Sequence, residues 1–110
     1  MTKPTIKTER YHLARIGADP TPNSGRGIKK ADGIIYLNEY PFISVDTKEY
    51  KKGFRVTPDL WAKINTDAHI NQSEPAYQLI LGEKQETKLM VIGEGLFLVL
   101  LEYYLEGHTK

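Results

Sequence analysis

The stretch that most constrains this chain runs from Thr57 to Ala68. Thr57-Pro58 is a helix start: the hydroxyl can accept from a free N–H of the first turn, and the N–H that proline lacks is not needed there. Leu60, Trp61, Ile64 and Ala68 then recur on one helical face, so this helix lies on something apolar. What it lies on is supplied by short apolar runs, Ile34–Leu37 and Phe42–Val45 before it and Tyr77–Leu81 after it, separated by Pro75. Asn38 and Pro41 flank the gap between the first two runs and predict a hairpin, and Phe54–Val56 after Gly53 predicts a third short strand.

The rest of the chain fits the same scheme. Thr8 to Ile16 predicts an N-terminal helix with Tyr11, Leu13 and Ile16 as its apolar positions, capped by Thr5 or Thr8 and stopped at Gly17. Ala18 to Gly27 is dense in turn residues and predicts a loop. Lys88–Ile92 predicts a further strand, and Glu94–Glu106 a final helix. The expected fold is α/β: an αβββαβ core with a small mixed sheet, plus an additional C-terminal strand and helix. At 110 residues, this is one domain spanning 1–110.

Several function classes drop out on composition. With no cysteine, disulfides and zinc–thiolate sites are excluded, and a cytoplasmic setting is the expectation. Met1–Thr5 has no apolar core of the secretory kind, and the longest apolar run, Leu96–Leu101, is far short of the roughly 20 residues of a membrane span. A net charge of +1 hides an uneven distribution. Residues 1–30 carry seven Lys or Arg against Glu9 and Asp19, a basic end able to meet a phosphate backbone.

The chemistry concentrates around Asp46-Thr47-Lys48, which closes the Phe42–Val45 run. Residues two apart in a strand point the same way, so Asp46 and Lys48 share a face and Thr47 turns from it. Asp32 lies fourteen residues earlier, where the preceding strand starts, so hairpin pairing brings the two carboxylates to one end of the sheet. Two carboxylates and a backbone carbonyl are hard oxygen ligands suited to Mg²⁺, with Mn²⁺ able to substitute. The same acid-x-Lys spacing occurs at Glu49-Tyr50-Lys51 and Glu86-Thr87-Lys88. There the acid falls in a turn after its strand or ahead of it. His12, His69 and His108 show no ligand spacing, and Trp61 reads as core.

The ordered set Gly17 to Gly27, Lys29-Lys30-Ala31-Asp32-Gly33, Phe42 to Lys48, Lys52 to Val56, Leu60 to Ile64 and Glu74 to Tyr77 resembles the PD-(D/E)XK nuclease superfamily. More narrowly it resembles phage-encoded endonucleases related to archaeal-type Holliday junction resolvases, over roughly residues 9–92. The resemblance implies a restriction-endonuclease-like core and an Mg²⁺-dependent endonuclease of branched or four-way-junction DNA. It implies cleavage leaving a 5′-phosphate and a homodimer with two sites. Asp32 and Asp46 become metal-binding acids, Thr47 completes the metal shell through its carbonyl, and Lys48 orients the attacking water. Glu9 matches an acid brought to the metal from the first helix, and Ser24 a serine near the scissile phosphate. Two residues depart from the family pattern: Ala31 stands where the pattern has proline, and the second acid is Asp rather than Glu.

Ser24, Gly25, Arg26, Lys29 and Lys30 form a basic loop beside this set and are expected to contact DNA phosphates, with Lys51, Lys52 and Arg55 extending the surface. Two other readings keep the same fold: a nicking enzyme of ordinary or mismatched duplex, and a catalytically silent DNA-binding module. The final helix is apolar on nearly all sides and must be covered, so part of it, with Tyr103 or Tyr104, is expected to form a symmetric dimer contact.

Overall fold

In the computed structural model the described residues are 6–21 and 30–108. Eight elements follow one another: α1 (Ile6–Arg15), β1 (Asp19–Pro20), β2 (Gly33–Leu37), β3 (Tyr40–Tyr50), α2 (Pro58–Ile70), β4 (Glu74–Leu81), β5 (Thr87–Ile92) and α3 (Glu94–His108). The strands form one mixed sheet in the order β1-β2-β3-β4-β5. All neighbours are antiparallel except β3 and β4, which run parallel across the α2 crossover.

Three expectations need correction. Phe54–Val56 is not a strand; these residues are extended coil after Gly53, and the third strand ahead of α2 is the two-residue β1. Phe54 packs its ring edge-on to Tyr77 at 5.1 Å and stacks on Tyr50 at 5.6 Å, a role that needs an apolar side chain but no ladder partner. The Phe42–Val45 run does not end at Asp46: β3 continues to Tyr50, so Asp46, Thr47, Lys48 and Glu49 all lie inside a strand. Parallel pairing with β4 holds that extension, register running from Ile43 opposite Glu74 to Tyr50 opposite Leu81. Pro75, expected to separate elements, lies within β4 near its start, where a missing N–H is tolerated.

The sheet divides two apolar layers. Leu13, Ala18, Ile43, Val45, Ala76 and Leu96 pack on the α1 side. Ile64 of α2, Tyr77 and Leu79 pack on the other, with Trp61 half-buried against Tyr77. Alternation along β3 therefore sends Val45, Thr47 and Glu49 toward α1, and Ser44, Asp46, Lys48 and Tyr50 toward α2. One buried polar chain crosses the α1 side. The Thr47 hydroxyl donates to Gln78 Oε1 at 3.0 Å, and Gln78 Nε2 donates to the His12 carbonyl at 2.8 Å, fastening α1 to the sheet.

α3 is different. Leu96 is buried, but Phe97, Leu98, Val99, Leu100, Leu101, Tyr103, Tyr104 and Leu105 are 38–67 % exposed. Beyond its first turn the helix leaves the body of the domain with an apolar surface on view. Among the described residues no helix is long and apolar enough to cross a membrane.

The buried chain from Thr47 to His12 sets a test. Thr47→Val keeps the volume but leaves Gln78 Oε1 without its donor, and a buried acceptor so orphaned costs about 1–3 kcal/mol. Urea unfolding is expected to show that loss for Thr47→Val and little of it for Thr47→Ser.

Candidate metal centre

The β2–β3 ladder stops at the pair Gly33–Val45. One residue earlier, the Asp32 N–H still donates to the Val45 carbonyl at 3.0 Å, but the next bond is made by a side chain: the Thr47 N–H donates to Asp32 Oδ2 at 2.9 Å. Substituting a carboxylate for a backbone carbonyl ends the ladder and opens a notch along β3. Asp46 and Lys48 sit in it, half-buried.

The approach to Asp32 is held from both sides. Asn71, the C-cap of α2, takes the Lys30 N–H on Oδ1 at 2.8 Å and gives its own N–H to the Lys30 carbonyl at 2.7 Å and to Ser44 Oγ at 2.8 Å. Thr21 follows β1; its hydroxyl donates to the Ala31 carbonyl at 2.6 Å, and its N–H to the Asp32 carbonyl at 3.0 Å. Between these clamps Ala31 has φ +73°, a left-handed conformation closed to proline, whose ring fixes φ near −65°.

Electrostatics show which groups share the notch. Burial and the charges of Asp32 and Asp46, opposed by Lys48, push the Glu9 carboxyl from its ordinary 4.5 up to about 7. Asp46 rises from 3.8 to about 6, through burial and then the charge of Asp32, with Lys48 and the Asp32 backbone N–H pulling it down and Asp67 adding to the rise. Asp32 is also raised by burial, against the Thr47 N–H and Lys48. Glu9 comes from α1, whereas Asp46 points to the α2 side of the sheet, and its charge reaches Glu9 at the register where the β2–β3 pairing has ended.

Glu9, Asp32, Asp46 and Lys48 thus lie within electrostatic range of one another, but Glu9, Asp32 and Asp46 do not bring one ligand atom each within 4.8 Å of the others. The Thr47 side chain turns away to Gln78, as strand alternation requires. Lys30 is exposed and its backbone is held by Asn71. Lys51, Lys52 and Arg55 lie past the end of β3, all exposed, with Lys51 Nζ 3.7 Å from Glu83 Oε1. Ser24, Gly25, Arg26 and Lys29 lie outside the described residues. Sequence reading missed Asp67, whose charge reaches Asp46 from α2, and Asn71, which positions the Asp32 approach. The signal for Asn71 is faint: an amide at a helix C-cap, a position that also takes Asn for its backbone conformation alone.

Three carboxylates and one ammonium in a partly desolvated notch make a definite donor set. Burial raises the proton affinity of all three; the charge of Asp32 raises Asp46 further, and those of Asp32 and Asp46 raise Glu9. A hard divalent cation matches that need in charge and in ligand type. The sign of the pH effect follows. Glu9 and Asp46 bind protons more tightly folded than unfolded, so their contribution to stability is full below pH 4 and is lost as pH rises through about 6 and 7. In chelator, the melting temperature of Asp46→Asn and Glu9→Gln is expected to fall less than that of the parent between pH 5 and 7.5. Parallel slopes for all three proteins would show that these carboxyls are not coupled.

Compared with known proteins, the chain matches no family model, and no curated protein and no solved structure matches it.

Proposed function

We propose that this chain is a metal-dependent endonuclease that hydrolyses DNA phosphodiesters, acting on branched or four-way-junction DNA as a homodimer. The observation that carries the reading is the electrostatic coupling of Glu9, Asp32, Asp46 and Lys48 near the end of β2, where the Thr47 N–H orients Asp32. The element order α-β-β-β-α-β, followed by a strand and a helix, supports it as well.

Asp32 and Asp46 would hold Mg²⁺, with Glu9 and the Thr47 carbonyl at hand to complete the shell. When bound, the ion supplies charge stabilisation on the phosphate oxygens and a lowered pKa for water. The chain's own groups do the rest. Asp32 is locked in orientation by the Thr47 N–H, which leaves its second oxygen for a ligand. Lys48 shares the face of Asp46 and brings a cation to the charge that builds as water attacks phosphorus and the bridging oxygen departs. Without the ion, burial and the neighbouring charges hold Glu9 up at about 7, and a dication in the notch would favour its anionic, ligand form. The basic excess of residues 1–30 supplies phosphate contacts.

The homodimer rests on α3. Eight large apolar side chains 38–67 % exposed on one 15-residue helix form a surface that single domains normally cover. Their exposed area is on the order of 700 Å², close to the roughly 800 Å² each partner contributes to a standard interface. α3 carries Glu94, Glu102 and Glu106 and no Lys or Arg, so the phosphate-facing side lies elsewhere.

Two measurements bear on this. Labelled four-way junction and matching linear duplex are incubated with the protein and Mg²⁺ or chelator. Junction-selective, chelator-sensitive nicking is expected, falling at least about 10²-fold in Asp46→Asn and in Lys48→Ala. Equal cutting of duplex would replace the junction specificity, and tight binding without cutting would leave a DNA-binding module. Light scattering after size exclusion is expected to give twice the chain mass at micromolar concentration, reverting to the monomer in Leu98→Glu. A monomeric parent would remove the dimer.

A further inference from the structure

A second group of potential ligands sits on the other side of β3. His12 Nε2 lies 3.4 Å from Glu49 Oε2, and Glu86 joins them so that one ligand atom from each of the three lies within 4.8 Å of the others. Among the described residues no other His/Cys/Asp/Glu trio is gathered this tightly. The three come from α1, β3 and the turn entering β5, and none is adjacent in sequence. Glu49 and Glu86 also line a surface cleft of about 230 Å³ with Tyr50, Lys51, Ile80 and Gly82, which gives the trio an open side.

We propose that His12, Glu49 and Glu86 form a second cation site, selective for a borderline transition dication of the Zn²⁺ type rather than for Mg²⁺. One imidazole nitrogen and two carboxylate oxygens make the ligand set of open zinc sites, and nitrogen ligation discriminates against hard cations. Ligand bonds of about 2.1 Å allow ligand atoms to be no more than about 4.2 Å apart. Closure therefore needs a small inward movement, which falls to Glu86: its side chain is 47 % exposed and its Lys88 contact, at 4.0 Å, is loose. The cleft leaves the remaining coordination positions to water or to an anion.

The state of His12 makes the site self-reporting. Arg15 Nη1 stands 2.7 Å from His12 Nδ1, and a guanidinium can only donate, so the ring proton sits on Nε2, facing Glu49. A cation at Nε2 displaces that proton to solvent while Nδ1 takes one up, and the ring stays neutral. Arg15 must then leave. It is exposed and already lies over the Tyr11 ring at 5.6 Å, where it can remain. Arg15 is thus a competitor of the cation, and its removal strengthens binding. A filled site also joins α1 to two strands one helical turn from Glu9, fixing the helix that brings Glu9 to the notch.

The test uses the tag-free full chain carrying Asp32→Asn and Asp46→Asn, so that the first centre is silent. Zn²⁺ is titrated by calorimetry and Co²⁺ by its visible absorption. One equivalent of each is expected to bind, with Mg²⁺ not competing. Glu86→Gln, in an exposed turn where folding is not at stake, weakens binding at least about tenfold. His12→Gln abolishes it, and Arg15→Ala tightens it. No saturable Zn²⁺ or Co²⁺ binding at sub-millimolar cation would overturn the proposal. So would affinity indifferent to Glu86→Gln, or weakened by Arg15→Ala. None of these outcomes depends on nuclease activity, so this site and the notch stand or fall separately.

Discussion

A single hydrogen bond organises the molecule's chemistry: the Thr47 N–H given to the Asp32 carboxylate in place of a strand neighbour. Ladder bonds between β2 and β3 are otherwise backbone to backbone. Where a side chain takes over, the partner strand is free to leave, and the edge of β3 beside Asp46 and Lys48 has no strand neighbour on that side. The same bond partly offsets the cost of holding the buried Asp32 carboxyl charged. Geometry and electrostatics at the notch have one origin.

Much of this was legible in the sequence because local patterns and packing agree. The Thr57-Pro58 cap is made as expected, with the Leu60 N–H donating to Thr57 Oγ1. The α2 face of Ile64, Ala68 and Trp61 meets the sheet, and the strand-parity argument for Asp46 and Lys48 needed only two-residue alternation. What failed was length. Nothing in Asp46-Thr47-Lys48-Glu49-Tyr50 advertises a strand, since its charges are exceptional in a sheet interior. The strand persists because β4, apolar from Ala76 to Leu81 apart from Gln78, runs parallel beside it. That is a long-range cause with no local trace. Phe54–Val56 failed the opposite way: strand-forming residues that pair with no strand of the sheet.

The polar interior was the least visible layer. Gln78 occupies a position in β4 that reads as core by its neighbours, and it is buried, spent on fastening α1. His12, which shows no ligand spacing in the sequence, is buried and partnered by Arg15 and Glu49. Its gathering with Glu49 and Glu86 could not be read at all, because three chain segments must be superposed before the trio exists. α1 itself is weakly apolar and is tied to the sheet by such polar bonds, with Leu13 the one deeply buried apolar side chain among its described residues.

The two-residue turn of the β2–β3 hairpin lies at the other end of the ladder from the notch. Asn38 and Glu39 both have positive φ, and the pairing Leu37–Tyr40 closes directly around them. One irregularity follows, where Tyr36 faces Pro41 while Ile35 faces Ile43, so that one extra residue of β3 is absorbed. Because β3 is held independently by its parallel pairing with β4 from Ile43 to Tyr50, the hairpin can take up a one-residue change as it already does at the bulge, without turning Asp46 and Lys48 from their face. The tip of this hairpin is therefore insulated from the site: length can vary at one end of the sheet while the facing of side chains at the other is kept by a different neighbour.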